Sequence, residues 1–156
     1  MTTITTATQI VAELGPLTKV AKAFVEAQGK VLAAGVKSPE DWRVMDEFVD
    51  AGQFRRVGAY LEELDFDAYC RFLTDWAGGG TRFEFTEFHI TECGDAVFQE
   101  IEERHWRGDE FIRKNVIAVY RFTPEGRIRH LDIYEQAKDS GQWIIDSARS
   151  ATEPAE

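Results

Sequence analysis

Glu103, Lys114 and Glu135 are the residues of this sequence best placed to do chemistry together. Each lies in a run of alternating character: AVFQEIEERHW (96–106), EFIRKNVIAVYRF (110–122) and RIRHLDIYEQ (127–136). Period-two alternation rich in β-branched and aromatic residues marks β-strands, and the short glycine-containing segments between the runs mark an antiparallel meander. A lysine flanked by two carboxylates in an apolar enclosure can relay protons. One carboxylate takes a proton while the ammonium stabilises a developing alkoxide or enolate. Burial and pairing push such pKa values in opposite directions, so the sequence leaves open which group is the base. The competing reading is a charge ladder on a solvent-facing surface.

Register decides between the two. Closing a hairpin at Arg107–Glu110 pairs Trp106 with Phe111, Glu103 with Lys114, Gln99 with Ala118 and Val97 with Tyr120. Closing the next at Phe122–Arg127 pairs Tyr120 with Arg129, Ala118 with Leu131 and Lys114 with Glu135. One face then carries Val97, Ile101, Ile112, Val116, Ala118, Leu131 and Ile133, with Gln99, Glu103, His105, Lys114, Tyr120, Arg129 and Glu135 as its polar members. This face is the more apolar at its centre, and we assign it to the interior.

A strand over 81–92, with a three-residue loop at Cys93-Gly94-Asp95, avoids stacking like charges. It sets Phe85 beside Glu103 and His89 beside Gln99 on the same face. His89 and His105 are general acid or base candidates. Tyr120 and Arg129 can clamp or polarise a ligand oxygen. His89, His105 and Glu103 have no metal-ligand spacing, and no metal is expected. His130, Asp132 and Tyr134 look like a triad, but the registers turn them outward beside Trp106, Phe111 and Ile117, a mixture suited to a homodimer interface. Asp67 is either a base at the helix–sheet junction or a helix cap.

The elements that must cover the interior face lie upstream. Helical spacing runs over 8–34 through Ile10, Val11, Leu14, Leu17, Val20, Phe24 and Val31, with a break at Gly15-Pro16 and a stop at Gly35. Ser38-Pro39-Glu40-Asp41 opens a short helix carrying Trp42, Met45 and Phe48. Further helices are predicted over 53–64 and 68–77, the latter ended by Gly78-Gly79-Gly80; residues 65–69 read equally as strand or cap. The fold class is therefore α+β.

Formal net charge is −10, which argues against nucleic acid and against an anionic membrane surface as partners. No apolar run reaches the roughly 20 residues of a bilayer span, and MTTITTATQ lacks a signal-peptide pattern. Cys70 and Cys93 form no framework, and a reduced, cytoplasmic protein is expected.

Over about 40–136 the chain resembles the nuclear transport factor 2-like superfamily, which includes SnoaL-like cyclases. The resemblance rests on Thr91-Glu92-Cys93-Gly94-Asp95-Ala96-Val97, on Ile117-Ala118-Val119-Tyr120-Arg121-Phe122 before Glu125-Gly126-Arg127-Ile128, and on Ile133-Tyr134-Glu135-Gln136. It implies a curved antiparallel sheet forming a cone whose concave face is covered by N-terminal helices. Relatives include ketosteroid isomerases, limonene-epoxide hydrolases, scytalone dehydratases, polyketide cyclases and lyases that deformylate lignin-derived diarylpropanes. The resemblance also implies chemistry without metal or organic cofactor, and often a dimer.

The motif residues of named members do not carry over. Ala118 stands where ketosteroid isomerases hold an acid. Ile101 and Glu103 stand where epoxide hydrolases hold an arginine and an aspartate; their second aspartate falls near Ile133, or on Asp132 if a bulge shifts the parity.

The expectation is a helical extension over 1–38, a domain over 39–146 and a frayed tail over 147–156. The expected function is acid–base catalysis (lyase, dehydratase or isomerase) on an apolar or aromatic small molecule, such as a diarylpropane. Lys114, Glu103, Glu135 and His105 would be catalytic; His89, Gln99, Tyr120, Arg129 and Phe85 would bind. Epoxide hydrolysis and a non-catalytic ligand-binding or interaction module are the alternatives.

Overall fold

Proline at the first position of a helix costs no hydrogen bond, and Pro16 opens α1 (Pro16–Ala34) after Gly15. The Glu92 carboxylate accepts from the Thr18 backbone N–H at 2.8 Å and its hydroxyl at 3.1 Å, supplying an anion where the helix dipole favours one. A Cβ on Gly15 would collide with that carboxylate. Gly35, at φ 89°, ends the helix. The computed structural model describes residues 14–137 and 142–154. Ile10 and Val11 of the predicted helical run lie outside the described residues, as does the stretch read for a signal peptide.

Pro39–Glu47 forms a 3-10 helix closed by a Ser38/Asp41 capping box. The helix predicted over 53–64 is absent. Its place is taken by β1 (Arg55–Val57) and β2 (Glu63–Leu64), joined by a turn in which Leu61 adopts φ 63°. Phe54, Val57, Leu61 and Leu64 have helical spacing, yet Leu61 is exposed while Phe54 and Leu64 are fully buried. Gly58 breaks the helix and receives the turn's hydrogen bond from Leu61.

Residues 66–77 form α2 (Phe66–Ala77), so the ambiguous 65–69 segment is a cap followed by helix. The capping side chain is Asp65, which accepts from the Ala68 N–H at 2.8 Å. Asp67 is 75% exposed and pairs with Arg43, which removes it as a catalytic candidate.

The remaining strands are β3 (Arg82–Cys93), β4 (Ala96–Arg107), β5 (Glu110–Phe122) and β6 (Ile128–Ala137), in a six-stranded sheet of order β2-β1-β6-β5-β4-β3. β1 runs parallel to β6, so the sheet is mixed, while the β3–β6 meander is antiparallel as expected. The β4–β5 register is the predicted one throughout.

β5–β6 is offset: Tyr120 faces Leu131 and Val116 faces Glu135. The hairpin closes at Thr123–Arg127, one residue beyond the expected point, and a bulge after Arg121 adds a second. Two single-residue errors sum to two, so every later side chain keeps its predicted face. The β3–β4 turn is the two-residue Gly94-Asp95, not a three-residue loop, and a bulge at Phe88 compensates.

α3 (Gln142–Thr152) replaces the expected frayed tail over 147–152. Ser147 donates to Asp75, Arg71 donates to the Ala151 carbonyl, and Ile144, Ala148 and Ala151 are buried. Together α1, the 3-10 segment, α2 and α3 cover the concave sheet face around Phe24, Trp42, Phe66 and Tyr120. Among the described residues no helix is long and apolar enough to cross a membrane.

Because Asp65 and not Asp67 caps α2, Asp65→Ala is expected to lower stability by about 1 kcal/mol. Asp67→Ala should cost under about 0.5 kcal/mol, since its ion pair is exposed. Urea unfolding of both variants checks the assignment.

Candidate active site

The helices and sheet enclose a cavity of about 580 Å3, within the range of small-molecule sites. Its wall is mainly aromatic and aliphatic, with Phe24, Trp42, Tyr69, Phe72, Trp76, Phe83 and Ile144 among the lining residues. Polar groups enter it from the predicted sheet face: Gln99, Glu103, His105, Lys114 and Tyr120.

The charged row is enclosed. Lys114 keeps 7% of its side-chain surface, Glu135 7% and Glu103 17%. Lys114 Nζ donates to Glu135 Oε2 at 2.7 Å and lies 3.8 Å from Glu103 Oε2. Glu135 reaches Lys114 diagonally across the sheet, since its direct partner is Val116.

His105 stands beside this row. Trp76 Nε1 donates to His105 Nδ1 at 3.1 Å, and indole is a donor only, so Nδ1 must accept. The ring proton therefore sits on Nε2, which donates to Glu103 Oε2 at 2.9 Å. With both nitrogens engaged, His105 positions the carboxylate and is not itself a free base. Burial tends to raise the Glu103 pKa, but the His105 hydrogen bond and the charges of Lys114 and Arg56 outweigh it and hold the value below 4.5. Its other oxygen, Oε1, accepts no hydrogen bond among the described residues.

Gln99 and Tyr120 bond to each other. Tyr120 Oη donates to Gln99 Oε1 at 3.0 Å, Gln99 Nε2 donates to Glu87 Oε2 at 2.9 Å, and Lys22 donates to Glu87 Oε1 at 3.0 Å. This network ties α1 to the sheet. Burial pushes the Tyr120 phenol far above its usual value, so it acts as a neutral hydrogen-bonding group.

Phe85 lines the cavity opposite Glu103, as expected. Two predicted binding residues do not join it. The Phe88 bulge turns His89 outward, where it faces Glu100 and is exposed; Ile90 takes the place beside Gln99. Arg129 falls at the β6 bulge and bonds the Phe122 carbonyl and Asp95 at the hairpin end. His130 and Asp132 bond to each other at 2.9 Å and lie outside the cavity-lining set, as does Tyr134. No group of three or more His, Cys, Asp or Glu side chains that could hold a metal occurs among the described residues.

Arg56 escapes sequence reasoning: it lines the cavity from β1, but Arg55-Arg56 reads as the polar side of a helix. Trp76 reads as core or, in a hollow cone, as wall; it lines the cavity, and its N–H finds an acceptor in His105.

No family model matches the chain, and no curated protein matches its sequence. Solved structures do match in fold. A protein from M. tuberculosis, an LEH-like epoxide hydrolase, has TM-score 0.58 at 19% identity, over 85% of this chain and 94% of that one. A protein from Jannaschia sp. CCS1 described as a SnoaL-like polyketide cyclase has TM-score 0.60 at 12% identity, over 92% and 99%. An NTF2-like protein of unknown function from Cytophaga hutchinsonii ATCC 33406 has TM-score 0.56 at 12% identity, over 80% and 95%. An open six-stranded sheet wrapped by helices around an apolar cavity is the fold of the nuclear transport factor 2-like superfamily, and this chain has that fold.

The lowered Glu103 pKa has a definite sign. Its contribution to stability is fully present above the unfolded value of 4.5 and is lost as pH falls through the folded value. His105→Phe removes the donor at Oε2 and is expected to move this loss to higher pH. Urea midpoints followed from about pH 7 to about pH 3 for both proteins measure the shift; parallel curves would show that His105 does not hold the carboxylate.

Proposed function

We propose that the protein is a cofactor-independent enzyme performing proton transfer on an apolar or aromatic small molecule, as a lyase, dehydratase or isomerase. The observation that supports this reading is the enclosure of Glu103 and Lys114, 3.8 Å apart, in the wall of a mainly aromatic and aliphatic cavity.

Glu103 is the base in this scheme. Its Oε2 is held by His105 and faces Lys114, leaving Oε1 to take a proton from substrate. Abstraction moves negative charge from the carboxylate to a substrate oxygen. If that oxygen lies against Lys114, the charge moves a short way past a fixed cation, so little reorganisation is needed. Glu135 holds the lysine in place. The depressed Glu103 pKa keeps the base ionised at neutral pH. It also makes Glu103 a weak base, which restricts the chemistry to protons acidified by a neighbouring carbonyl or a comparable group.

The outer sheet face exposes Phe98, Phe111, Ile117 and Tyr134, and this surface is proposed as the contact of a homodimer. Two free cysteines, Cys70 buried and Cys93 exposed, suit a reducing, cytoplasmic setting.

Glu103→Gln is isosteric and keeps an acceptor for His105. It is expected to lower turnover by about 100-fold or more on a substrate found by screening lignin-type aromatics, epoxides and steroids. Lys114→Met should do the same, at the cost of removing the ammonium that faces both Glu103 and Glu135. Retained turnover in a folded Glu103→Gln protein would remove the base assignment. Binding with no turnover by the unmodified protein would favour a ligand-binding module. Light scattering after gel filtration at micromolar concentration tests the dimer; a monomer contradicts it.

A further inference from the structure

Arg56 is a cavity cation that proton transfer does not use; Arg82, which also lines the cavity, lies over the Trp106 ring and beside Glu84. Arg56 pairs with Leu131 of β6, whose side chain faces the cavity, and with Leu64 of β2, which aims the guanidinium inward. The side chain is 13% exposed and lies over the rings of Phe72 at 4.8 Å and Tyr69 at 5.8 Å. Such stacking fixes the plane of the guanidinium.

Its Nη1 is buried and has no hydrogen-bond partner. Glu62 Oε1 lies 3.5 Å away, close enough to balance charge but without hydrogen-bond geometry. Glu62 cannot simply swing closer. Its Oε2 accepts from the Tyr60 N–H at 2.9 Å, within the turn that joins β1 to β2, and the carboxylate packs against Gly58. A buried guanidinium N–H left without an acceptor costs free energy, so a ligand that supplies one recovers it.

We infer that Arg56 anchors a neutral oxygen acceptor, a carbonyl or phenolic oxygen, on an aromatic ligand in this cavity. Neutrality follows from the charges present. Among the described residues in and beside the cavity wall, Arg56, Arg82 and Lys114 supply three cations, whereas Glu62, Glu84, Glu103 and Glu135 supply four carboxylates, so a further anion enters against a net negative set. Aromatic character follows from the Phe72, Tyr69, Trp76 and Phe83 walls. The inference rests on the same cavity as the proposed reaction, and it deepens that reading by naming the group the substrate must carry.

The test compares acetophenone with α-methylstyrene, in which a methylene replaces the carbonyl oxygen, and with benzoate. Binding to the full chain is read by calorimetry, without turnover. Arg56→Met is expected to weaken acetophenone by about tenfold or more, the effect of losing a charged hydrogen bond, and to leave α-methylstyrene within about twofold. Arg56→Met/Glu62→Gln removes the ion pair as a unit and serves if the single variant misfolds. An equal effect on both probes would overturn the anchor. So would a higher affinity of the unmodified protein for benzoate than for acetophenone. Failure of Glu103→Gln to lose turnover would sink the proton-transfer reading and leave these binding results standing.

Discussion

The burial of Lys114 between Glu103 and Glu135 constrains the rest of the site. Removing an ammonium from water costs several kcal/mol unless opposite charge and hydrogen bonds meet it. Glu135 meets it directly at 2.7 Å, and Glu103 at 3.8 Å. Glu103 in turn needs donors, which is why His105 and, behind it, Trp76 stand where they do. A chain of dependence thus runs from the sheet into α2. Each member is there because the previous one is buried.

The same chain of contacts separates positioning from chemistry. His105 attracts attention because imidazole titrates near neutrality, yet the Trp76 N–H occupies its acceptor nitrogen. Its ring is left to orient a carboxylate. Gln99 and Tyr120 likewise satisfy each other and hand their remaining bond to Glu87 and Lys22, so they secure α1 over the cavity. Among the described cavity groups, one oxygen of Glu103 and the Arg56 guanidinium keep unused capacity. A site with few unspent polar groups can orient a ligand by them.

The similarity to solved structures carries the fold and no further, because identities of 12–19% do not transfer side chains. Ile101 is buried apolar wall at the position where the resemblance to epoxide hydrolases calls for an arginine. The charged groups of this cavity come from its own arrangement: Arg56 on a short strand parallel to β6, and Lys114 on β5.

The α+β class, the β4–β5 register and the interior face of β4 and β5 were legible in the sequence. All three follow from local rules: period-two alternation, and a glycine turn at Gly108, φ 59°, that admits one register. Glu103, Lys114 and Glu135 were found for that reason. The sequence did not reveal the bulges at Phe88 and Arg129, because a bulge is chosen by how two strands twist and pack, and it moved His89 and Arg129 out of the site. Nor did it reveal β1, β2 and α3. Residues 53–64 have apolar spacing that suits a helix as well as a buried hairpin, and only pairing with β6, some 75 residues away, settles the choice. Local pattern determined which side chains share a face; long-range packing decided which of them meet, and that is how Arg56 came to stand in the same cavity as Glu103.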